Sequence, residues 1–535
     1  MRSPAVLILL IIIVVALSIA SVRLDSATSD EPAHIANGVI KLTHGWLDFF
    51  REQPPLMNSL SALPVVLSGY RIAPGWKGGN HWVVGRTFLY RSGYDAYRIL
   101  FLARLPTIAL FAALVAVVFW FVYRETASAM WALIAATLTG FCPTLMAHGR
   151  LATVDLALTF FAFASTALLL SLIASPSSVR ATLFGITAAA APMSKVSGLI
   201  LGPFFVAVVV AALIARRIPN RKEFFKAIAI GCVAGLLFFE AIGLTVTSSA
   251  FAQAEYSSTP RLVIPFVEYL ANVRTINAWY TQGHALPQFL MGDFSRSGWP
   301  HYYLAAFLLK TPIPAILLAI GGIVAGLRSR SFAFFCLLAF VVMFFAIAAL
   351  GHLALGIRYV LPIYPFLYAA TAIALSTSNL RRGAQTIVIL FVAWHALENL
   401  KTYPHYIAYF NELIGSERNA DAFLIDSNLD WGQDLRRLDQ WARAQHLDRI
   451  AVHYFGGGSV EYELRAAKPV IRYAPGPDLL PPGYFALSRH FYRISFYLPL
   501  WRINYDDYLA LCNAHYVTSI GASINIYRID PPARK

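Results

Sequence analysis

The chain has 535 residues, 58% of them hydrophobic and only 13% charged, with a mean hydropathy of +0.59. A soluble protein of that length could not hide so much apolar surface, so the composition excludes a soluble globular enzyme and indicates a polytopic membrane protein. The net charge of +15 comes from 43 Lys and Arg against 28 Asp and Glu. The basic residues sit between apolar runs, a pattern of membrane sidedness and not of nucleic-acid binding.

Apolar runs predict about eleven spans, near 4–22, 99–122, 129–147, 153–175, 181–194, 197–215, 226–248, 301–327, 332–350, 357–377 and 385–400. The first has no small-residue cleavage site behind it and is expected to be a retained anchor. With the N-terminus inside, alternate loops carry Arg124, then Arg180, then Arg216, Arg217, Arg221, Lys222 and Lys226, then Arg328 and Arg330, then Arg381 and Arg382. These short basic loops are cytoplasmic by the positive-inside rule, which puts loops 23–98 and 249–300 and the region 401–535 on the outer face. Cys142, Cys232, Cys336 and Cys512 are too dispersed for a disulfide framework or a metal motif.

Within the first outer loop, Ile35, Val39, Leu42, Trp46 and Phe49 recur at helical spacing and predict an amphipathic interfacial helix. Pro54-Pro55 opens a second short helix through Leu56, Leu60 and Leu63. The tail reads differently. Segments 449–455, 483–488 and 514–517 are strand-like around a helix over 434–445, which predicts a small α/β domain.

Several ionisable residues stand out against this background. Asp30 and Glu31 follow the first span, where carboxylates serve a substrate at the membrane surface or simply favour a helix N-terminus. Glu52 precedes the Pro-Pro turn. Asp155 begins the fourth span and needs a cavity or a partner, Arg150 being one structural possibility. Lys195 and Arg358 lie at outer span ends against the charge bias, where they hold a lipid phosphate, snorkel, or pair with an acid. Lys310 is a weaker candidate of that kind. In the tail, Asp430, Trp431 and Asp434 suit a sugar or a cation, although Asp430 as a helix N-cap explains the pattern as well. The outer-side histidines show no zinc-type spacing and read as interfacial.

Asp30-Glu31, Glu52-Gln53-Pro54-Pro55-Leu56, Asp155, Ser194-Lys195-Val196-Ser197-Gly198 and Arg358-Tyr359-Val360-Leu361-Pro362 come in the order seen in GT-C glycosyltransferases. The chain resembles protein O-mannosyltransferases (family 39) and the aminoarabinose transferases of lipid A over about residues 1–400. The resemblance implies an all-α polytopic GT-C catalytic domain, 1–400, with the tail 401–535 as an outer-face α/β domain. It implies a sugar donor on polyprenyl phosphate and a protein, lipid or glycan acceptor, with the enzyme in a bacterial inner membrane. By that resemblance Asp30 is the general base, with Glu31 beside it, and Lys195 and Arg358 bind the donor phosphate. Glu52 matches an acid that helps hold a divalent metal ion, though no accompanying histidine is matched, and Asp155 helps through a cation or by ordering the site. A flippase or transporter of lipid-linked sugars is the alternative; it would show paired repeats and midplane charges, whereas here the ionisable groups cluster on one face and no repeat is detected.

Overall fold

The computed structural model describes residues 3–45, 52–72, 79–247, 258–282, 287–378, 380–472, 480–495, 497 and 505–531. The membrane part is helical: α1 (Ser3–Val22), α2 (Glu31–Thr43), α3 (Pro55–Leu67), α4 (His81–Arg91), α5 (Ala96–Thr126), α6 (Ala129–Gly140), α7 (Pro143–His148), α8 (Asp155–Ala174), α9 (Ser178–Ser194), α10 (Leu201–Ile214) and α11 (Arg221–Thr247). Helices Ile264–Gln282, Tyr302–Lys310, Ile313–Leu327, Phe332–Leu350, Ile363–Ser376 and Arg382–Thr402 complete it.

All eleven apolar runs fall on helices, but they differ as spans. Among the described residues six helices are long and apolar enough to cross a membrane, or seven if Tyr302–Lys310 and Ile313–Leu327, bent by 115°, are one span. The bend falls at Pro312, which cannot donate a backbone hydrogen bond. The run 129–147 divides into α6 and α7, with Pro143 in the first turn of α7. The chain is a multi-pass membrane protein. The predicted interfacial helix is observed as α2, ending at Thr43; Trp46 and Phe49 lie outside the described residues. Its Ile35, Val39 and Ile40 are fully buried under α3, α4 and α5 and not laid on lipid.

Local chemistry places α4 and α5. Asn80 caps α4 by accepting from the backbone of Trp82 at 3.0 Å, and Asp95 caps α5 by accepting from Tyr97 at 2.9 Å; such caps satisfy otherwise orphaned donors. At the opposite end of the bundle two of the basic loops meet, Arg217 donating to the Arg330 carbonyl at 3.2 Å.

The tail forms a mixed five-stranded sheet. A short hairpin, β1 (Gln288–Leu290) and β2 (Asp293–Ser295), precedes β3 (Arg449–His453), β4 (Lys468–Ile471), β5 (Gly483–Ser488), β6 (Ala514–Ile520) and β7 (Ile524–Ile529). The sheet order is β4-β3-β5-β7-β6, with β3 parallel to both β4 and β5 and the remaining pairs antiparallel. Helix Leu435–Ala444 covers one face through Leu435, Leu438 and Ala442. Tyr505, Tyr508 and Leu509 cover the other. This domain is fastened to the membrane part: Ser26 and Ser29 donate backbone hydrogen bonds to Gln433 and Trp431 at 2.9 and 2.8 Å.

Candidate active site

Asp30 occupies the N-cap position of α2, but its side chain makes no cap hydrogen bond. Its Oδ2 instead accepts from an Arg358 Nη1 N–H at 2.7 Å. Arg358 sits on a tight turn, Ile357–Val360, that Gly356 introduces at φ +134°. A Cβ there would lie 2.1 Å from the Ser427 hydroxyl, so glycine is required on both counts. Asp155 opens α8, and Lys195 occupies the extended link that breaks α9 from the following turn. Lys195 Nζ donates to Asp155 Oδ1 at 2.6 Å, and Arg358 Nη1 lies 3.8 Å from Asp155 Oδ2.

Four of the residues singled out in the sequence thus form one chain of alternating charge, Asp30–Arg358–Asp155–Lys195. They line a cavity of about 160 Å³ together with His34 and Glu52. Aromatic rings hold the cations in place. Lys195 Nζ lies 4.3 Å from the centre of the Tyr359 ring, and the Arg358 guanidinium lies 4.4 Å from the centre of the Trp431 ring, contacts that orient a cation without neutralising it. Arg358 Nε and Asp155 Oδ2 are buried without a hydrogen-bond partner among the described residues. Burial, and then the charge of Asp30, push the Glu52 carboxyl up to about 7. Burial holds His34 below its ordinary value against the pull of Asp30; its Nδ1 lies 2.9 Å from Asn58 Oδ1. An apolar groove of about 310 Å³ adjoins the charged cavity, sharing Val196, Ile276, Leu353 and Tyr359 and extending along Phe344 and Ile347.

Other candidates are placed elsewhere. Glu31 points away from the cavity: it is fully buried, accepts from Arg104 Nε and Nη2 at 2.7 Å each, and accepts the Ala152 N–H at 2.9 Å. It is a brace between α2, α5 and the approach to α8. Arg150 pairs with Asp25 and not with Asp155. Lys310 donates to the carbonyls of Ile407 and Asn428 at 2.8 and 2.5 Å, which ties the bundle to the tail.

Asp430 and Asp434 are buried, so neither presents a carboxylate to a sugar. Asp430 accepts from the Ser488 hydroxyl and from two backbone N–H groups, of Gly432 and His490. It is not an N-cap, because the helix begins at Leu435. Burial pushes its carboxyl up to about 7. Asp434 accepts from the Ser523 hydroxyl at 2.7 Å and from Arg437. Trp431 is buried as well, and its ring backs Arg358.

His34, Trp82 and Tyr359 line the cavity and were not singled out in the sequence. The four-residue spacing of Asp30 and His34 along one helix was the available signal. A divalent ion finds no ready cage: among the described residues there is no group of three or more His, Cys, Asp or Glu that could hold a metal. Asp155 is already committed to two cations.

Comparison with known proteins agrees with this architecture. A profile of the dolichyl-phosphate-mannose-protein mannosyltransferase family matches residues 47–253. The chain superposes on ArnT from Cupriavidus metallidurans bound to undecaprenyl phosphate with a TM-score of 0.52 and 12% identity, covering 97% of both chains. On the apo state of the same protein the TM-score is 0.53 at 12% identity, over 98% of each chain. No curated protein sequence matches. The fold is that of ArnT, a helical membrane domain followed by a sheet-containing C-terminal domain.

Proposed function

We propose that the protein transfers a sugar from a polyprenyl-phosphate donor to a hydroxyl acceptor at the outer face of a bacterial inner membrane, with inversion at the anomeric carbon. The observation that carries this reading is one cavity in which two solvent-reachable carboxylates, Asp30 and the half-buried Glu52, meet two cations beside an apolar groove. The groove suits a polyprenyl chain, and Lys195 and Arg358 suit its phosphate. The phosphate takes over the Arg358 contact that Asp30 now holds, which releases the carboxylate towards the acceptor. Asp30 then accepts the acceptor's hydroxyl proton as that oxygen bonds to the anomeric carbon. The bond from that carbon to the phosphate oxygen breaks, and its electron pair stays on the phosphate between the two cations. Because phosphate is a good leaving group, no protonated acid is needed behind it. Asp155 keeps Lys195 and Arg358 at a fixed spacing.

The test is purified full-length protein given radiolabelled polyprenyl-phosphate sugars and a cell-envelope acceptor fraction. Transfer that disappears in Asp30→Asn is expected. Transfer undiminished in that variant removes the proposed base. Movement of the labelled lipid across a vesicle bilayer without any transfer would instead identify a carrier.

A further inference from the structure

A second cavity, of about 420 Å³, lies between α4 and the C-terminal domain. Val83, Arg86, Thr87 and Tyr90 form its α4 wall, a single helical face at spacings of three and four. The domain contributes the C-terminal ends of the parallel strands β3 and β4, at His453 and Arg472, with Gly458 from the turn that follows β3. Ligands of α/β sheets gather beyond that end of parallel strands. Charge sets the class of ligand. Arg86, Arg91 and Arg472 face the cavity with Glu461 as the one acid in its lining, and the Ser459 hydroxyl donates to Glu461 at 2.9 Å. Arg472 Nε and the Tyr90 hydroxyl are buried, and among the described residues neither has a hydrogen-bond partner. Unpaired buried polar atoms are costly, and an anionic, hydroxyl-bearing ligand would satisfy both. Phe491, stacked on His453 at 4.2 Å, gives an apolar surface for a sugar face.

Helix α4 contributes a wall to both cavities. Trp82 lines the first and Arg86 the second, about 6 Å apart along the axis of one helix. Arg86 donates to the Gly456 carbonyl at 2.5 Å. Gly457 rests on the chain to either side of Asp30: a Cβ there would lie 2.2 Å from the Thr28 carbonyl oxygen and 2.9 Å from Pro32. The turn that lines the cavity at Gly458 is therefore packed, through its neighbour Gly457, against the segment that carries Asp30.

We propose that this second cavity binds the anionic part of the acceptor, a saccharide carrying a phosphate or a carboxylate. The proposal rests on the transfer reading given above. It is tested by calorimetric titration of the full-length protein in nanodiscs, saturated with undecaprenyl phosphate so that the first site is filled. Glucose 6-phosphate and glucuronic acid are expected to bind, and methyl glucoside to bind at least tenfold more weakly. Arg472→Gln and Arg91→Gln should each weaken glucose 6-phosphate about tenfold, the loss of one charge-assisted contact, while undecaprenyl phosphate binding, the control for folding, is unchanged. Equal affinity for methyl glucoside, or undiminished glucose 6-phosphate binding in both variants, overturns the proposal. If Asp30→Asn abolishes transfer while the arginine variants still bind the anionic sugars, the acceptor site fails and the transfer reading stands. If transfer survives Asp30→Asn while the arginine variants lose binding, the transfer reading fails and the cavity remains an anionic-sugar site.

Discussion

Asp30 and Glu31 are neighbours in the chain, yet they belong to two ionic clusters of opposite character. Around Glu31 the carboxylate and the facing Arg104 guanidinium are saturated, although Arg150 Nε at the far end of the cluster has no partner among the described residues. Arg104 meets both Glu31 oxygens and sends its remaining donors to the carbonyls of Val22, Asp25 and Ser26, while Thr28 and Ala152 supply backbone N–H groups. Asp25 continues the cluster to Arg150 and to Arg437 of the C-terminal domain, at 2.7 Å for the latter. Despite its burial, three arginines hold the Asp25 carboxyl below the usual carboxylate range. Around Asp30 the groups are paired but not saturated. Asp30 keeps 18% of its side-chain exposure, and Lys195 and Arg358 keep 12% each. Burial alone does not mark a functional charge; unspent hydrogen-bonding capacity facing a cavity does.

Exchanging each carboxylate for its amide separates the two clusters most sharply. Asp30→Asn should lower kcat by about 10²- to 10⁴-fold, the usual worth of a positioned base, with the thermal midpoint nearly unchanged. Glu31→Gln should do the reverse. Removing one partner of a saturated buried pair costs about 3–5 kcal/mol, read as a lower midpoint in detergent and a lower folded yield. If Glu31→Gln were stable but inactive, the division between the neighbours would be wrong.

That the charges of the cavity share one end of the bundle was legible in the sequence, because charge bias and span order are local properties. They set Asp30, Asp155, Lys195 and Arg358 at one end of the bundle, where the structure joins them. The helical runs were legible from hydropathy, and the C-terminal sheet from its short apolar segments. What composition could not convey was direction: Asp30 and Glu31 leave α2 one residue apart, about 100° around the axis, and only the partner on α5 decides which faces the cavity. Asp430 and Asp434 looked available for the same reason. Their partners, Ser488 and Ser523, are 58 and 89 residues away. Trp431 reaches Arg358 across a comparable gap in the chain, so its place behind the cation was equally hidden.

The tail's contribution to the charged cavity gives a third, smaller test of the contrast. Asn428 Oδ1 accepts the Ile357 N–H at 2.9 Å, and its amide donates to the Tyr302 hydroxyl at 3.0 Å, which fastens the turn bearing Arg358. Asn428→Ala leaves a buried N–H unpaired, at a cost of about 1–3 kcal/mol. If the turn loosens, KM for the donor should rise about tenfold while KM for the acceptor stays constant. Equal changes in both would mean that the tail acts on folding and not on the phosphate seat.

Glu52 supplies the mildest and most diagnostic effect, because its carboxyl titrates near 7. Its value lies above the ordinary 4.5, so between about pH 4.5 and 7 the folded chain keeps a proton that the unfolded chain has lost. Stability from this group is therefore full below that window and falls as pH rises through it. The same ionisation adds a negative charge to a cavity that must receive a phosphate. Donor KM should accordingly rise severalfold from pH 6 to 8 and become flat in Glu52→Gln, with kcat reporting separately on Asp30. A divalent ion held by Glu52 would reverse the sign: ionisation would then strengthen donor binding as pH rises, and a chelator would abolish the trend. The slope of donor KM against pH thus tells a cavity that works through Lys195 and Arg358 alone from one that recruits a metal.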